Sequence, residues 1–251
     1  MTEFNPPKGM GFQPGKKVDV TTVKRETGKV KYWAFTSLMN FEECPYRIYL
    51  KSIRKVQGEQ SDAANRGNEI HDLAEQYVRN PNGPIPKELA KFEDDFAVLV
   101  EAFKEGKVEL EEKWGITQSW EQCTWEQYDI LWGRIKLDAF HRETETFARC
   151  IDYKTGKKFG NELKHGLQGM VYMIAAFARY PELETIKVEF WYLDKGERLE
   201  RVFTRSQAEV LKQRIHNRAL AMTTAHHFPP NPSKSTCKYC SYREVCEYVE
   251  K

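Results

Sequence analysis

An acid and a lysine stand two residues apart in the run Cys150-Ile151-Asp152-Tyr153-Lys154-Thr155-Gly156-Lys157. The run reads as a short apolar strand, and residues i and i+2 of a strand project from one face, so Asp152 and Lys154 point the same way. A carboxylate can hold a hard divalent cation, and a neighbouring ammonium can position or activate an attacking water. Together they suit hydrolysis of a phosphodiester. Taken alone the triplet fits an ordinary surface ion pair before a Thr-Gly turn better, since D-x-K occurs by chance in most proteins. A second acid lies upstream, in Trp132-Gly133-Arg134-Ile135-Lys136-Leu137-Asp138-Ala139-Phe140. Ile135, Leu137 and Ala139 share one face of this strand, and Arg134, Lys136 and Asp138 the other. If the two strands form a hairpin, Asp138 and Asp152 can converge on one metal.

The cysteines form a second candidate site. Cys237, Cys240 and Cys246 are spaced C-x2-C-x5-C, and Cys44 stands near the other end of the chain. Four thiolates suit a structural zinc ion or a [4Fe–4S] cluster, and the spacing leaves both open. Cys123 and Cys150 fall outside the pattern and read as ordinary thiols in or beside strands. Other motifs are weak. Lys154-Thr155-Gly156-Lys157 lacks the glycine spacing of a phosphate-binding loop. His226 and His227 are adjacent, cannot easily face one ion, and read as solvated. The aromatics between 114 and 132 read as core and hairpin packing.

The elements that must position these residues follow from periodicity. The 251 residues, 40% hydrophobic and 30% charged, can bury one sizeable core, or one core and an appendage. With a net charge of +2, any nucleic-acid contact must come from local basic clusters. No run is apolar enough to span a membrane, and six cysteines in an apparently cytosolic chain point to metal ligation or free thiols before disulfides. Residues 1–31 read as a flexible polar arm. Helices are predicted from Thr36 or Ser37 to Cys44, from Pro45 to Leu50, over 62–78 and over 87–103. Strands follow at 108–120, 130–141 and 147–153, then a buried helix at 161–180 stopped by Pro181. Strands resume at 186–193 and 199–203 around an Asp-Lys-Gly turn, and Ser206 is placed as the cap of a helix running to about 224. This order gives an α/β core in a helical frame: a helical part at 32–105, the core at 106–224 and a cysteine-bearing tail at 225–251.

Asp138 followed by Asp152-Tyr153-Lys154 resembles the signature of the PD-(D/E)XK nucleases in its RecB-like form, where a D-Y-K-T-G context is common. Arg66-Gly67-Asn68-Glu69-Ile70-His71 is similar to that family's G-x-x-x-H helix, and Gln168 to Tyr172 to its Q-x-x-x-Y helix. Cys44-Pro45-Tyr46-Arg47 resembles the C-P-x-R/K segment of its iron–sulfur members, including the CRISPR-associated exonucleases. One departure is that the glycine often found three residues before the metal-binding Asp stands five before it here, at Gly133, with Lys136 between. The resemblance covers 32 to the C-terminus and implies a restriction-endonuclease-like mixed sheet flanked by helices. It implies a Mg²⁺- or Mn²⁺-dependent DNA exonuclease, cytoplasmic, acting on free or single-stranded ends in recombination, repair or phage DNA processing. Spacer acquisition in CRISPR systems and a non-catalytic DNA-binding module are the alternatives. His71, Asp138, Asp152 and the Tyr153 carbonyl would hold the metal, and Lys154 would orient the water. Gln168 would hold the lysine or the phosphate, and Tyr172 would line the substrate path. Cys44, Cys237, Cys240 and Cys246 would hold [4Fe–4S], with Zn²⁺ as the alternative, and clip the tail to the N-terminal helix. If the clip acts as a disulfide does, closing so long a loop constrains the unfolded chain by about 5 kcal/mol.

Overall fold

The computed structural model describes residues 30–156 and 158–250. Its strands are β1 (Val108–Ile116), β2 (Gln122–Cys123), β3 (Gly133–Arg142), β4 (Phe147–Lys154), β5 (Thr185–Tyr192) and β6 (Glu197–Thr204). Its α-helices are α1 (Phe35–Glu43), α2 (Pro45–Ile48), α3 (Asp62–Arg79), α4 (Glu93–Lys104), α5 (Glu162–Arg179), α6 (Arg205–Thr223) and α7 (Lys234–Lys238). The strands form one sheet in the order β2-β1-β3-β4-β5-β6. Neighbours run antiparallel except β4 and β5, which are parallel. A parallel pair cannot be joined by a tight turn and needs a crossover. Helix α5 supplies it, and Pro181 follows its end.

Helices cover both faces of the sheet. Against one face, α1, α5 and α6 enclose a core that includes Phe140, Cys150, Val171, Phe177 and Val188. Against the other, α3 and α4 bring Ala74, Phe96 and Leu99 onto Ala139, Ile151 and Trp191. Strand alternation sorts these residues: Ala139 and Ile151 pair across β3 and β4 and face one core, while Phe140 and Cys150 pair and face the other. A mixed sheet flanked by helices is consistent with the restriction-endonuclease-like α/β fold. No helix of the described residues is long and apolar enough to cross a membrane.

Several boundaries differ from the sequence reading. The strand predicted to 120 ends at Ile116, because Thr117 N–H donates to Glu121 O in a tight turn and Trp120 takes a left-handed φ of 67°. That turn drops Trp120 edge-on against Trp33 and Trp132 in the core. The cap of α6 is Thr204, whose N–H donates to Gln207, and not Ser206. Ser37 lies in the first turn of α1, where it accepts from Ala34 N–H. Chain passing from α2 into a π-helical turn at Tyr49–Ile53 extends the second helix beyond Leu50. Most of the arm expected over 1–31 lies outside the described residues, and Val30, at its end, is buried in the core.

Candidate active site

The sheet opens where the acids stand. The β3–β4 ladder runs from Arg142↔Ala148 to Ala139↔Ile151, and the next pair in that register would be Asp138 and Asp152. The β1–β3 ladder pairs Leu110 with Ala139 and Glu112 with Leu137 and skips Glu111, which would face Asp138. Three acids, Glu111, Asp138 and Asp152, therefore occupy one row across three neighbouring strands. Glu111 has a φ of 56°, a left-handed conformation that is strained for a residue with a side chain and breaks the ladder at this point.

The surrounding side chains fix this row. Asp138 Oδ2 accepts the Tyr153 N–H at 2.7 Å, a backbone donor released as the strands part. Asp138 Oδ1 lies 3.0 Å from His71 Nδ1, presented by α3. Asp152 Oδ1 accepts from the Tyr172 hydroxyl at 2.5 Å and from Gln168 Nε2 at 3.1 Å. Lys154 Nζ donates to Gln168 Oε1 at 3.2 Å and forms an ion pair with Asp152 Oδ2. Asp152 Oδ2 is buried, with the Lys154 ammonium as its partner. Gln168 and Tyr172 sit one turn apart on α5, and their side chains also bond each other at 2.6 Å. The crossover helix thus orients both the lysine and the acid beneath it. Tyr172 is buried under Asp152 and does not line an open path. The Tyr153 ring points to the opposite face, against Phe96 and Trp191.

Electrostatics follow from this crowding. Burial raises the Asp152 pKa, an effect Lys154 opposes and Asp138 reinforces. Burial raises the Glu111 carboxyl too, against the pull of Lys136, with which it forms an ion pair. Burial pulls His71 down, but its bond to Asp138 and the Asp138 and Asp152 charges prevail and lift it to about 8. Among the described residues, His71, Glu111 and Asp138 are the trio whose ligand atoms lie within 4.8 Å of one another. Two carboxylates and an imidazole, beside the buried Asp152 carboxylate, fit a hard divalent cation.

Glu111 is the residue that the sequence analysis missed. Its only local signal is an acid in an alternating strand, and Glu109 and Glu112 carry the same signal. Pairing it with Asp138 requires the register of β1 on β3, which no short motif encodes.

The four cysteines singled out by spacing also come together. Cys44 caps α2, Cys237 lies in α7, and all four line one pocket with Tyr46, Arg47 and Tyr248. Burial raises the Cys246 pKa, and after the opposing Tyr248 backbone bond the charges of Cys240, Cys44 and Cys237 raise it further. The tail is tied to the N-terminal helices by Asn231 N–H to Cys44 Sγ, by Tyr46 to Glu247 and by Arg47 to the Thr236 carbonyl. No three of these sulfurs lie within 4.8 Å of one another. Cys123 and Cys150 are buried away from the cage, and burial pushes the Cys150 thiol far up, as in an inert core cysteine. His226 and His227 are exposed.

A mixed sheet whose parted strands present three acids and a lysine is a candidate metal centre on an α/β scaffold. Residues 32–247 match the sequence profile of the PD-(D/E)XK nuclease superfamily, and the chain belongs to that superfamily. It is a nuclease by family. Two solved structures are similar in outline. The protein SSO0001 is 17% identical, with 92% of this chain and 91% of that one covered and a TM-score of 0.40. A protein of Eubacterium rectale named "Putative exonuclease" is 14% identical, with 97% and 96% covered and a TM-score of 0.49. A search of curated proteins gave no match.

Proposed function

We propose that the protein is a divalent-metal-dependent DNA exonuclease. The observation that carries this reading is the row of Glu111, Asp138 and Asp152 at the strand gap, with Lys154 and His71 beside it. His71, Glu111, Asp138, Asp152 and the Tyr153 carbonyl would hold Mg²⁺ or Mn²⁺. A bound divalent ion supplies charge to offset the extra negative charge of the transition state and lowers the pKa of water. Lys154, held by Gln168, orients the attacking water and offsets charge on the scissile phosphate. Tyr172 keeps Asp152 in place from below. An intact set of acids and lysine argues against a binding module that has lost its chemistry.

The cysteine cage supports a second part of the reading. Cys44, Cys237, Cys240 and Cys246, which line one pocket, would hold a [4Fe–4S] cluster; zinc is the alternative. Its role would be to clip the tail to α1 and α2, with residues 32–251 working as one nuclease unit in the cytoplasm. DNA ends in recombination, repair or phage DNA processing are the substrates this reading favours, with spacer acquisition as the alternative setting.

The deciding experiment is digestion of end-labelled single- and double-stranded DNA, with circular DNA as control, in Mg²⁺, in Mn²⁺ and in chelator. Loss of terminal label with metal, and intact circles, is the expected result. Cleavage that persists in chelator, or an intact linear substrate in both metals, would sink the proposal.

A further inference from the structure

The loop that joins the lysine strand to α5 carries a feature that the acid–lysine chemistry does not use. Phe159 is 82% exposed and Leu163, in the first turn of α5, is 88% exposed, although both are large and apolar. Clusters of such residues on an otherwise polar surface mark binding sites. Both lie within ten residues of Lys154 in sequence, and α5 also carries Gln168, which accepts from Lys154. Behind Leu163 runs a groove of about 410 Å³, lined by Leu163, Gly166, Leu167, Met170 and Phe190 and rimmed by Arg201 and Arg214. One wall of the groove is the Phe190 ring, which lies 5.4 Å from Lys154 Nζ. Groove and Lys154 are thus one side chain apart. Gly166 stands inside the helix, where glycine is disfavoured, yet nothing lies within 4 Å of the place a Cβ would occupy. Packing within the protein does not require it, whereas a flat ring laid against the helix would.

We propose that Phe159 and Leu163, with the groove behind them, form a shelf that binds unpaired nucleobases of the strand whose phosphate sits at Lys154. The proposal rests on the nuclease reading above. Nucleic-acid strands present exactly this combination: a phosphate for the cation and, one bond set away, an apolar π-face for stacking. The exposed Lys164 and the rim arginines Arg201 and Arg214 can meet the backbone charge, beside Glu162 and Glu200 in the same lining, which keep the groove from being uniformly basic. A paired base is stacked inside its duplex and cannot reach the shelf, so the shelf selects for an unpaired end.

The test is binding of a labelled single-stranded oligonucleotide and of a blunt duplex of equal length to the full chain in chelator, by fluorescence anisotropy. Phe159→Ala should weaken single-strand binding at least about 5-fold, the lower end of what one stacked base contributes. Phe159→Ala with Leu163→Ala should weaken it further, and Phe159→Trp should keep the parent affinity. Duplex binding should stay within about two-fold throughout, since stacking contributes little to a backbone-only contact. Unchanged single-strand affinity in the double variant, or an equal loss on both oligonucleotides, overturns the shelf. So does a double variant that changes from dimer to monomer by light scattering with its DNA affinity intact, which would make this face a contact between copies. Failure of the nuclease reading would look different: the parent would cut neither oligonucleotide in Mg²⁺ or Mn²⁺, whatever stood at position 159.

Discussion

The acid–lysine centre and the cysteine cage are built on opposite physical terms. At the centre, strand register brings three carboxylates into one row, two of them on residues that are 6% and 3% exposed. Like charges held together out of water oppose folding, and the surrounding sheet and helices must hold them there. The cage sits among short elements: a helix cap, the five-residue α7 and the turns after it. Apart from Cys237, residues 234–250 are half-buried or exposed, so the tail has little core of its own. One region spends stability to hold reactive groups in place. The other, in the proposed reading, would gain stability from a metal or cluster held by its thiols. The two should therefore respond to mutation in opposite ways.

The largest expected effect is on cleavage. Lys154→Ala and Asp152→Asn should each lower the digestion rate by at least about 100-fold, as loss of one charged group at a reacting phosphate does elsewhere. Asp152→Asn should leave the melting temperature unchanged or raise it in chelator, because it removes a carboxylate whose pKa burial already raises. Comparable turnover in either variant would break the catalytic assignment. A marked fall in stability for Asp152→Asn would break the contrast with the cage. Glu111→Gln should follow Asp152→Asn in both respects, with weaker binding of Mn²⁺ by calorimetry.

Next in size is Cys44→Ala. Anaerobic protein should be brown, with iron and sulfide near the ratio of a four-iron cluster, and the variant should be colourless. If the clip constrains the chain as a disulfide would, about 5 kcal/mol is at stake, or a fall of roughly 10–20 °C in Tm for a chain of this size. Cys123→Ala and Cys150→Ala should keep the colour. A colourless parent holding one zinc would keep the ligands and change the metal. A parent without metal, no more stable than Cys44→Ala, would remove the cage from the comparison.

Much of this was legible in the sequence, for reasons that differ between the regions. Asp152, Lys154, Gln168 and Tyr172 are each fixed by a spacing of two or four within one element, and local periodicity carries that information. The α5 crossover was legible for the same reason. The cysteines were legible because thiols are rare enough for their spacing to stand out. What escaped was whatever depends on pairing between strands: Glu111, whose place opposite Asp138 comes from β1–β3 register, and the end of β1 at Ile116. Tyr172 was found, but its burial under Asp152 was not, since residues sharing a helix face do not reveal which side of the sheet they meet. The caps at Thr204 and Ala34 were misplaced by two or three residues, because several nearby serines and threonines offer capping chemistry while the position used at α1 is an alanine.

A smaller effect separates support of the centre from its chemistry. Tyr172→Phe removes the hydroxyl that donates to Asp152 at 2.5 Å and leaves the ring in the core. The rate should fall by about ten-fold, the value of one hydrogen bond to a charged group. Metal affinity should weaken while single-strand binding in chelator holds. Loss of DNA binding in step with the rate would place Tyr172 on the substrate path after all.

The smallest effect lies in two histidines near the centre that titrate in opposite directions. His71 is lifted to about 8 against its burial by Asp138 and Asp152, while His165 is lowered to about 4, first by burial and then by Lys154 and Lys164. In the unfolded chain both should titrate near 6.5. A raised folded value means that His71 stabilises the fold fully below 6.5 and loses that contribution as pH rises through 8. A lowered folded value means that His165 contributes above 6.5 and loses its contribution as pH falls from 6.5 towards 4. Tm profiles of metal-free protein check both signs by difference. Relative to the parent, His71→Gln should be most destabilised at acid pH and converge above pH 8. His165→Gln should be most destabilised near neutral pH and converge towards pH 4. Lys154→Met should move the His165 imidazole back towards 6.5 in an NMR titration, since it removes the first-named charge that lowers it. Parallel profiles for the two variants would mean that the two histidines are not shifted in opposite directions, and that the charges at the strand gap are not arranged as the register requires.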